Sequence, residues 1–130
     1  MHLLWIALGS ALGGSLRYVV NWLALQVSVD AIVFSTLVEN LGGSLLIGYL
    51  AGLWAGGGAA GLHPHKWHFW ITGFCGGYTT FSAFSGQVLS LIENGHANLA
   101  GLYAAASVGF GVIAVWAGLS WAAKKWGEDK

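Results

Sequence analysis

Hydrophobic residues fall into four long blocks along this chain, at about 3–25, 31–54, 69–92 and 99–123, separated by short polar stretches. Each block exceeds the ~20 residues that a helix rising ~1.5 Å per residue needs to cross ~30 Å of hydrocarbon. The pattern predicts four transmembrane helices. The segments between them are too short to hold a soluble domain, so residues 1–130 read as a single all-α transmembrane domain.

The third block breaks the pattern. Gly73-Phe74-Cys75-Gly76-Gly77-Tyr78-Thr79-Thr80-Phe81-Ser82-Ala83-Phe84-Ser85 sets paired glycines and a comb of hydroxyls inside an apolar run, and predicts a helix broken at Gly76–Thr79. A bilayer offers backbone groups no water, so an interrupted helix there must be buried in protein or line an aqueous cavity. Thr79, Thr80, Ser82 and Ser85 supply hydroxyls, and Phe81 and Phe84 share a helical face. Phenylalanine in a membrane helix ordinarily packs, but its ring edge is electropositive and can touch an anion. Carbonyls freed at Gly76 and Gly77 suit a hard cation such as Na⁺. The segment points to an ion site, with adjacent regions favouring ions of opposite sign.

Other polar residues inside the blocks need partners. Arg17 lies past the middle of the first, with Asn21 one turn beyond. A charge at that depth costs at least ~2.5–3.5 kcal/mol on insertion scales, so Arg17 either snorkels or faces a vestibule where it concentrates anions. We read it as a vestibule residue. Thr36 and Asn40 share one face of the second block, and the amide of Asn40 brings two N–H donors that suit a dehydrating anion. Glu39 points about 100° away from Asn40 on an ideal helix. Buried and charged it would be costly, so it needs its proton or a partner such as Arg17 or a lysine. The fourth block contributes Ser107.

Composition agrees with the block pattern. The chain is 56% hydrophobic and 8% charged, with mean hydropathy +0.67, too much apolar surface for a soluble domain of this size. Zero net charge and the lack of basic clusters argue against nucleic acid as a partner. Cys75 is the lone cysteine, which rules out an internal disulfide. The first block lacks a basic flank and runs past signal-peptide length, so it is expected to remain as a span.

Four crossings put both termini, the loop 55–68, Lys66, Lys124, Lys125 and Lys130 on one side, opposite Asp30 and Glu93. The positive-inside rule places that side in the cytoplasm. Trp5, Trp54, Trp67, Trp70, Trp121 and Trp126 mark span ends as an interfacial belt would, whereas Trp22 and Trp116 lie deeper and are expected to pack on neighbouring helices. The small-residue stripes Gly9/Gly13, Ser44/Gly48/Gly52 and Gly101/Ala105/Gly109 let helices approach closely. They imply a tight bundle that continues across a subunit interface. His63, His65 and His68 form a weak metal-binding pattern, and no nucleophile–base pair makes a catalytic constellation, so the chain does not read as an enzyme.

Gly73–Ser85 closely resembles the signature of the Fluc (CrcB-type) fluoride channels, whose GGxTTFSxFS run is highly specific. Gly13-Gly14-Ser15-Leu16-Arg17 resembles the first-helix motif of that family, and Thr36-Leu37-Val38-Glu39-Asn40 with Gly42 and Leu46-Ile47-Gly48 the second. The resemblance implies a multi-pass protein of the cell (inner) membrane. It implies an antiparallel dual-topology dimer, a homodimer by preference and otherwise a heterodimer with a second homologous chain. Two pathways would drain cytoplasmic fluoride passively. By the same resemblance, carbonyls of Gly76 and Thr79 from both subunits would hold a central structural Na⁺. Phe81 and Phe84 would line the pathways, Asn40 would donate to the ion, and Thr36, Thr80, Ser82 and Ser107 would extend the polar route. Arg17, Glu39 and Gln87 fall at its vestibules. Three positions depart from the family pattern. Glu39 stands where an uncharged residue is usual, Gln87 where glutamate is common, and Gly111 where serine is frequent. Glu39 and Gln87 together would represent either one carboxylate moved between helices or a coincidence.

Two other readings stay open on the residues. A small four-helix proton-coupled exporter would use Glu39 as its carrier carboxylate, since intramembrane acids often mark proton relays. A non-transporting anchor would hold a cofactor through His63, His65 or His68.

Overall fold

The chain's one proline is Pro64, so no proline interrupts the long apolar runs. In the computed structural model, which describes residues 2–28, 31–56 and 64–128, those runs are helical. Helix α1 spans His2–Val27 and α2 spans Ala31–Gly56. Pro64 opens the short α3, Pro64–Trp67, a position where its missing N–H costs nothing. A π-helical stretch, His68–Cys75, leads into α4, Gly76–Tyr78. Two extended residues precede α5, Phe81–Glu93, and α6 runs Ala97–Glu128. Asp30, Lys130 and the stretch 57–63, which includes His63, lie outside the described residues.

Among the described residues, three helices are long and apolar enough to cross a bilayer: α1, α2 and α6. The third hydrophobic block instead forms a chain of shorter helical pieces. Its break lies one step later than the expected Gly76–Thr79. Gly76, Gly77 and Tyr78 are helical, whereas Thr79 (φ −83°, ψ 156°) and Thr80 (φ −146°, ψ 120°) are extended. The reason is physical. β-Branched threonine accepts extended backbone readily, while Gly77 serves close packing: a Cβ there would run into the Ser10 carbonyl and Cα of α1, whereas one on Gly76 would meet nothing within 4 Å.

That close approach repeats along α1. A Cβ on Gly9 would collide with the Phe69 carbonyl, and one on Gly13 with the Phe74 carbonyl. The π-helical stretch is thus the part of the third block that lies tightest against α1. A second close contact joins α2 to α6, where Gly48 meets the Val115 backbone and Gly118 meets Leu45 and Tyr49. The stripe expected on α6 is not the one used. Nothing lies within 4 Å of a Cβ built on Gly101 or Gly109, so that stripe faces away from the rest of the chain.

The turn from α5 to α6 needs glycine. Gly95 has φ 80°, and its N–H bonds to the Ile92 carbonyl (3.0 Å) while that of His96 bonds to Leu91 (2.8 Å). This paired capping closes the helix end with a residue whose backbone only glycine adopts freely.

Burial is inverted relative to a soluble fold. Ser35, Thr36, Glu39 and Thr80 are buried, whereas Leu3, Val27, Phe34, Phe81 and Leu102 are among the large apolar residues on the surface. A bilayer accommodates such a surface, and polar groups turn inward to find partners. Trp22 (51% exposed) and Trp116 (68%) also face outward from this chain. His2 stacks beside His65 and His68, Trp54 beside Trp67, and Tyr49 beside Trp121. The start of α1, the end of α2, α3 and the last part of α6 therefore meet at one end of the bundle.

Candidate functional site

The break is held by one side chain. Asn40 on α2 accepts from the Thr80 N–H through Oδ1 at 2.8 Å and donates to the Thr80 carbonyl through Nδ2 at 3.0 Å. An unbroken α-helix would give the Thr80 N–H to the Gly76 carbonyl. Asn40 takes it instead, so Gly76 loses its α-helical partner, and Gly76 is exposed. The next carbonyl, Gly77, would pair with the Phe81 N–H in an unbroken helix, but here accepts from Arg17 Nε at 3.1 Å. Thr79 closes the preceding helix by returning both its N–H (3.0 Å) and its hydroxyl (2.8 Å) to the Cys75 carbonyl.

Thr80 then starts the next helix. Its Oγ1 accepts from the Ala83 N–H at 3.1 Å, an N-cap that satisfies one of the orphan amides of α5. Ser82 Oγ lies 3.2 Å from Thr80 Oγ1. Beside this point an open crevice of about 250 Å³ is lined by Asn40, Ser44, Ile47, Thr79, Thr80 and Phe81. Phe81 is 78% exposed, and its ring lies 5.6 Å from that of Phe84.

A polar row continues beyond Phe84. Gln87 Nε2 donates to Thr36 Oγ1 at 2.8 Å, and the Tyr103 hydroxyl donates to Gln87 Oε1 at 2.7 Å. The Tyr103 ring lies 5.5 Å from that of Phe84. One turn further along α6, Ser107 Oγ is buried without a hydrogen-bond partner. Sequence reasoning missed Tyr103, although its place four residues before Ser107 on one helical face was there to be read.

Arg17 and Glu39 form a separate cluster. Arg17 does not snorkel; it is tied to Gly77. Glu39 is fully buried at 0% exposure, and neither carboxylate oxygen has a hydrogen-bond partner. Arg17, Asn21 and Tyr78 are the polar groups that interact with it electrostatically. Asn21 in turn accepts from the Ser35 hydroxyl at 2.7 Å. Glu39 is therefore enclosed by protein and does not line an open vestibule. Gln87 belongs to the other cluster, with Thr36 and Tyr103.

Histidines gather at the end of the bundle where α1 begins. The His2 ring lies 5.5 Å from His65 and 4.7 Å from His68. Among the described residues no three histidine, cysteine or acidic side chains converge on a point suited to a metal ion. His63 lies outside them.

Comparison of the sequence with known proteins leads to a family. The profile of the CrcB-like proteins, described as Camphor Resistance (CrcB), matches residues 4–119. A "Fluoride-specific ion channel FluC" of Rhizobium meliloti is 44% identical over 119 residues, 92% of this chain and 94% of that protein. One from Paramagnetospirillum magneticum is 42% identical over 114 residues, 87% of this chain and 88% of its own length. "Fluoride-specific ion channel FluC 1" of Bradyrhizobium diazoefficiens is 43% identical over 114 residues, covering 88% and 79%. The chain is a multi-pass membrane protein, not an enzyme, and belongs to the CrcB/FluC family of fluoride-specific ion channels.

Proposed function

We propose that this protein is a fluoride-selective passive channel that exports cytoplasmic fluoride across the cell (inner) membrane. The physical task is dehydration. Fluoride is small and strongly hydrated, so it leaves water only where closely spaced donors replace its shell. Chloride is larger and a weaker acceptor, and gains less from the same donors. The observation that carries the reading is the Asn40-held break opening beside Phe81, Phe84 and the row Thr36, Gln87, Tyr103 and Ser107.

Each residue then has a role. The second N–H of Asn40 Nδ2, beyond the one given to Thr80, donates to the ion, as do hydroxyls of Thr80 and Ser82. Edges of Phe81 and Phe84 touch the anion without competing for its charge. Thr36 and Ser107 extend the polar route, with Ser107 bringing a buried hydroxyl one turn beyond Tyr103. Arg17 adds positive charge beside the break and raises local anion concentration.

The working unit is an antiparallel dual-topology homodimer with two pathways. Phe81 and the crevice beside it lie open on the surface of the single chain, so the route needs a second wall, and a partner chain supplies one. The outward stripe Gly101, Ala105 and Gly109 allows close approach of such a partner. Carbonyls of Gly76 and Thr79 fit a structural Na⁺ between subunits. The Gly76 carbonyl has lost its helical amide to Asn40, and bare carbonyl oxygens are the ligands a hard cation takes. A bound Na⁺ would neutralise these dipoles and tie the two broken helices together.

Fluoride efflux from liposomes holding the purified protein, followed with a fluoride electrode beside a chloride control, tests the reading. Rapid fluoride loss without chloride loss is expected. Folded protein that releases neither ion would overturn it.

A further inference from the structure

The largest fully buried side chain among the described residues is an acid. Glu39 is 0% exposed, and both carboxylate oxygens lack hydrogen bonds. A buried polar group without partners is a standing cost that folds ordinarily avoid. The groups that face it are few. From α1 come the Arg17 cation and the Asn21 amide, and from α4 the Tyr78 phenol. Asn21 accepts from Ser35 through Oδ1, which leaves its Nδ2 as a neutral donor toward the carboxyl. Arg17, the one cation of this set, gives its Nε to the Gly77 carbonyl. The carboxyl thus sits beside a cation whose Nε is held by a backbone carbonyl.

We propose that Glu39 is a proton-binding positioning residue for ion passage, acting through Arg17. The inference rests on the channel reading above. The geometry has two self-consistent arrangements. With the carboxyl protonated there is no buried anion to satisfy, and Arg17 stays on the Gly77 carbonyl, as the structure has it. When the proton leaves to water, the buried carboxylate needs a counter-charge, and Arg17 is the cation within electrostatic reach. Arg17 then turns from Gly77 to Glu39, where a guanidinium pairs with both oxygens of a carboxylate.

Two consequences reach the ion route. The Gly77 carbonyl, one residue after Gly76 and two before the extended Thr79, loses its donor when Arg17 leaves. The net charge of the pair also changes from +1 to zero. A positive charge beside the route favours an anion, so fluoride passage is greater on the acid side and falls as Glu39 ionises. The Glu39 carboxyl touches neither the ion nor the pathway hydroxyls and acts only by placing Arg17.

The test is fluoride efflux from liposomes over a series of pH values, with leak from protein-free liposomes subtracted because HF crosses lipid unaided. Wild-type flux should fall severalfold towards alkaline pH. Glu39→Gln, which mimics the protonated acid, should hold the wild-type acid-side level throughout. Infrared difference spectra of the same protein should carry a carboxylic-acid carbonyl band that disappears over the same pH range and is absent in Glu39→Gln. Should that variant not fold, Arg17→Lys in its place must shift the midpoint of the pH profile, since lysine lacks the fork. A Glu39→Gln profile that parallels the wild type overturns the proposal, as does complete loss of transport in Glu39→Gln or an unmoved midpoint in Arg17→Lys. If wild-type protein carries no fluoride at any pH, the channel reading fails. In that case the infrared band alone decides: present, it supports the proton site; absent, it overturns it.

Discussion

Asn40 holds Thr80 at both backbone groups, accepting from its N–H at 2.8 Å and donating to its carbonyl at 3.0 Å. A side-chain amide here substitutes for a missing turn of helix. Two backbone groups at membrane depth are satisfied, and the chain stays extended where a helix would otherwise continue. The break and the candidate ion site therefore depend on one residue.

Asn40→Ala removes both bonds and leaves a buried amide and carbonyl unpaired. At about 1–3 kcal/mol for each unsatisfied group, the cost is large for a small membrane protein. Thermal unfolding in detergent should shift down, and fluoride efflux should fall at least tenfold. Asn40→Asp retains the acceptor for Thr80 N–H but loses the donor and adds a negative charge, so it should be nearly as inactive yet less destabilised.

Tyr103→Phe keeps the ring against Phe84 and removes only the hydroxyl that donates to Gln87. A net hydrogen bond is worth about 1 kcal/mol, roughly a fivefold change in rate if Gln87 must be held for passage. Efflux should drop by that order, with only a small fall in unfolding temperature.

Phe84→Leu preserves apolar volume and deletes the electropositive ring edge. Packing alone predicts a mild effect, because volume-conserving swaps in a core usually cost less than ~1.5 kcal/mol. The channel reading predicts a severe loss of fluoride efflux in protein that still folds. Efflux and unfolding measured on the same preparation separate the two.

Gly48→Ala drives a methyl group into the Val115 backbone at the α2–α6 contact, and overpacking of this kind costs about 1–3 kcal/mol. Gly109→Ala meets nothing within the chain. In thermal unfolding of detergent-solubilised protein, the first should destabilise clearly. If the outward stripe packs on a second copy, the second should leave monomer folding intact and weaken the dimer in cross-linking.

Much of this was legible in the residues because membrane constraints are severe. Long apolar blocks can only be helices, and Gly76-Gly77-Tyr78-Thr79-Thr80 could only mark an interruption. What the sequence misplaced was the site of the break and the use of its glycines. Glycine serves both chain flexibility and close packing, and only the proximity of Ser10 shows that packing dominates at Gly77. The fate of Arg17 was also hidden. Its partner is a backbone carbonyl, Gly77, and backbone partners leave no mark in side-chain spacing. Glu39 was read as costly when charged, but its complete burial emerged only in three dimensions.

The most direct test of the central claim is a current recording across a planar bilayer containing the protein, with a fluoride gradient and equal pH on both sides. A passive fluoride channel should carry a current that reverses at the fluoride equilibrium potential and stays there when a pH gradient is added. A reversal potential that moves with the proton gradient, or transport without current, would contradict it and favour proton-coupled export through Glu39.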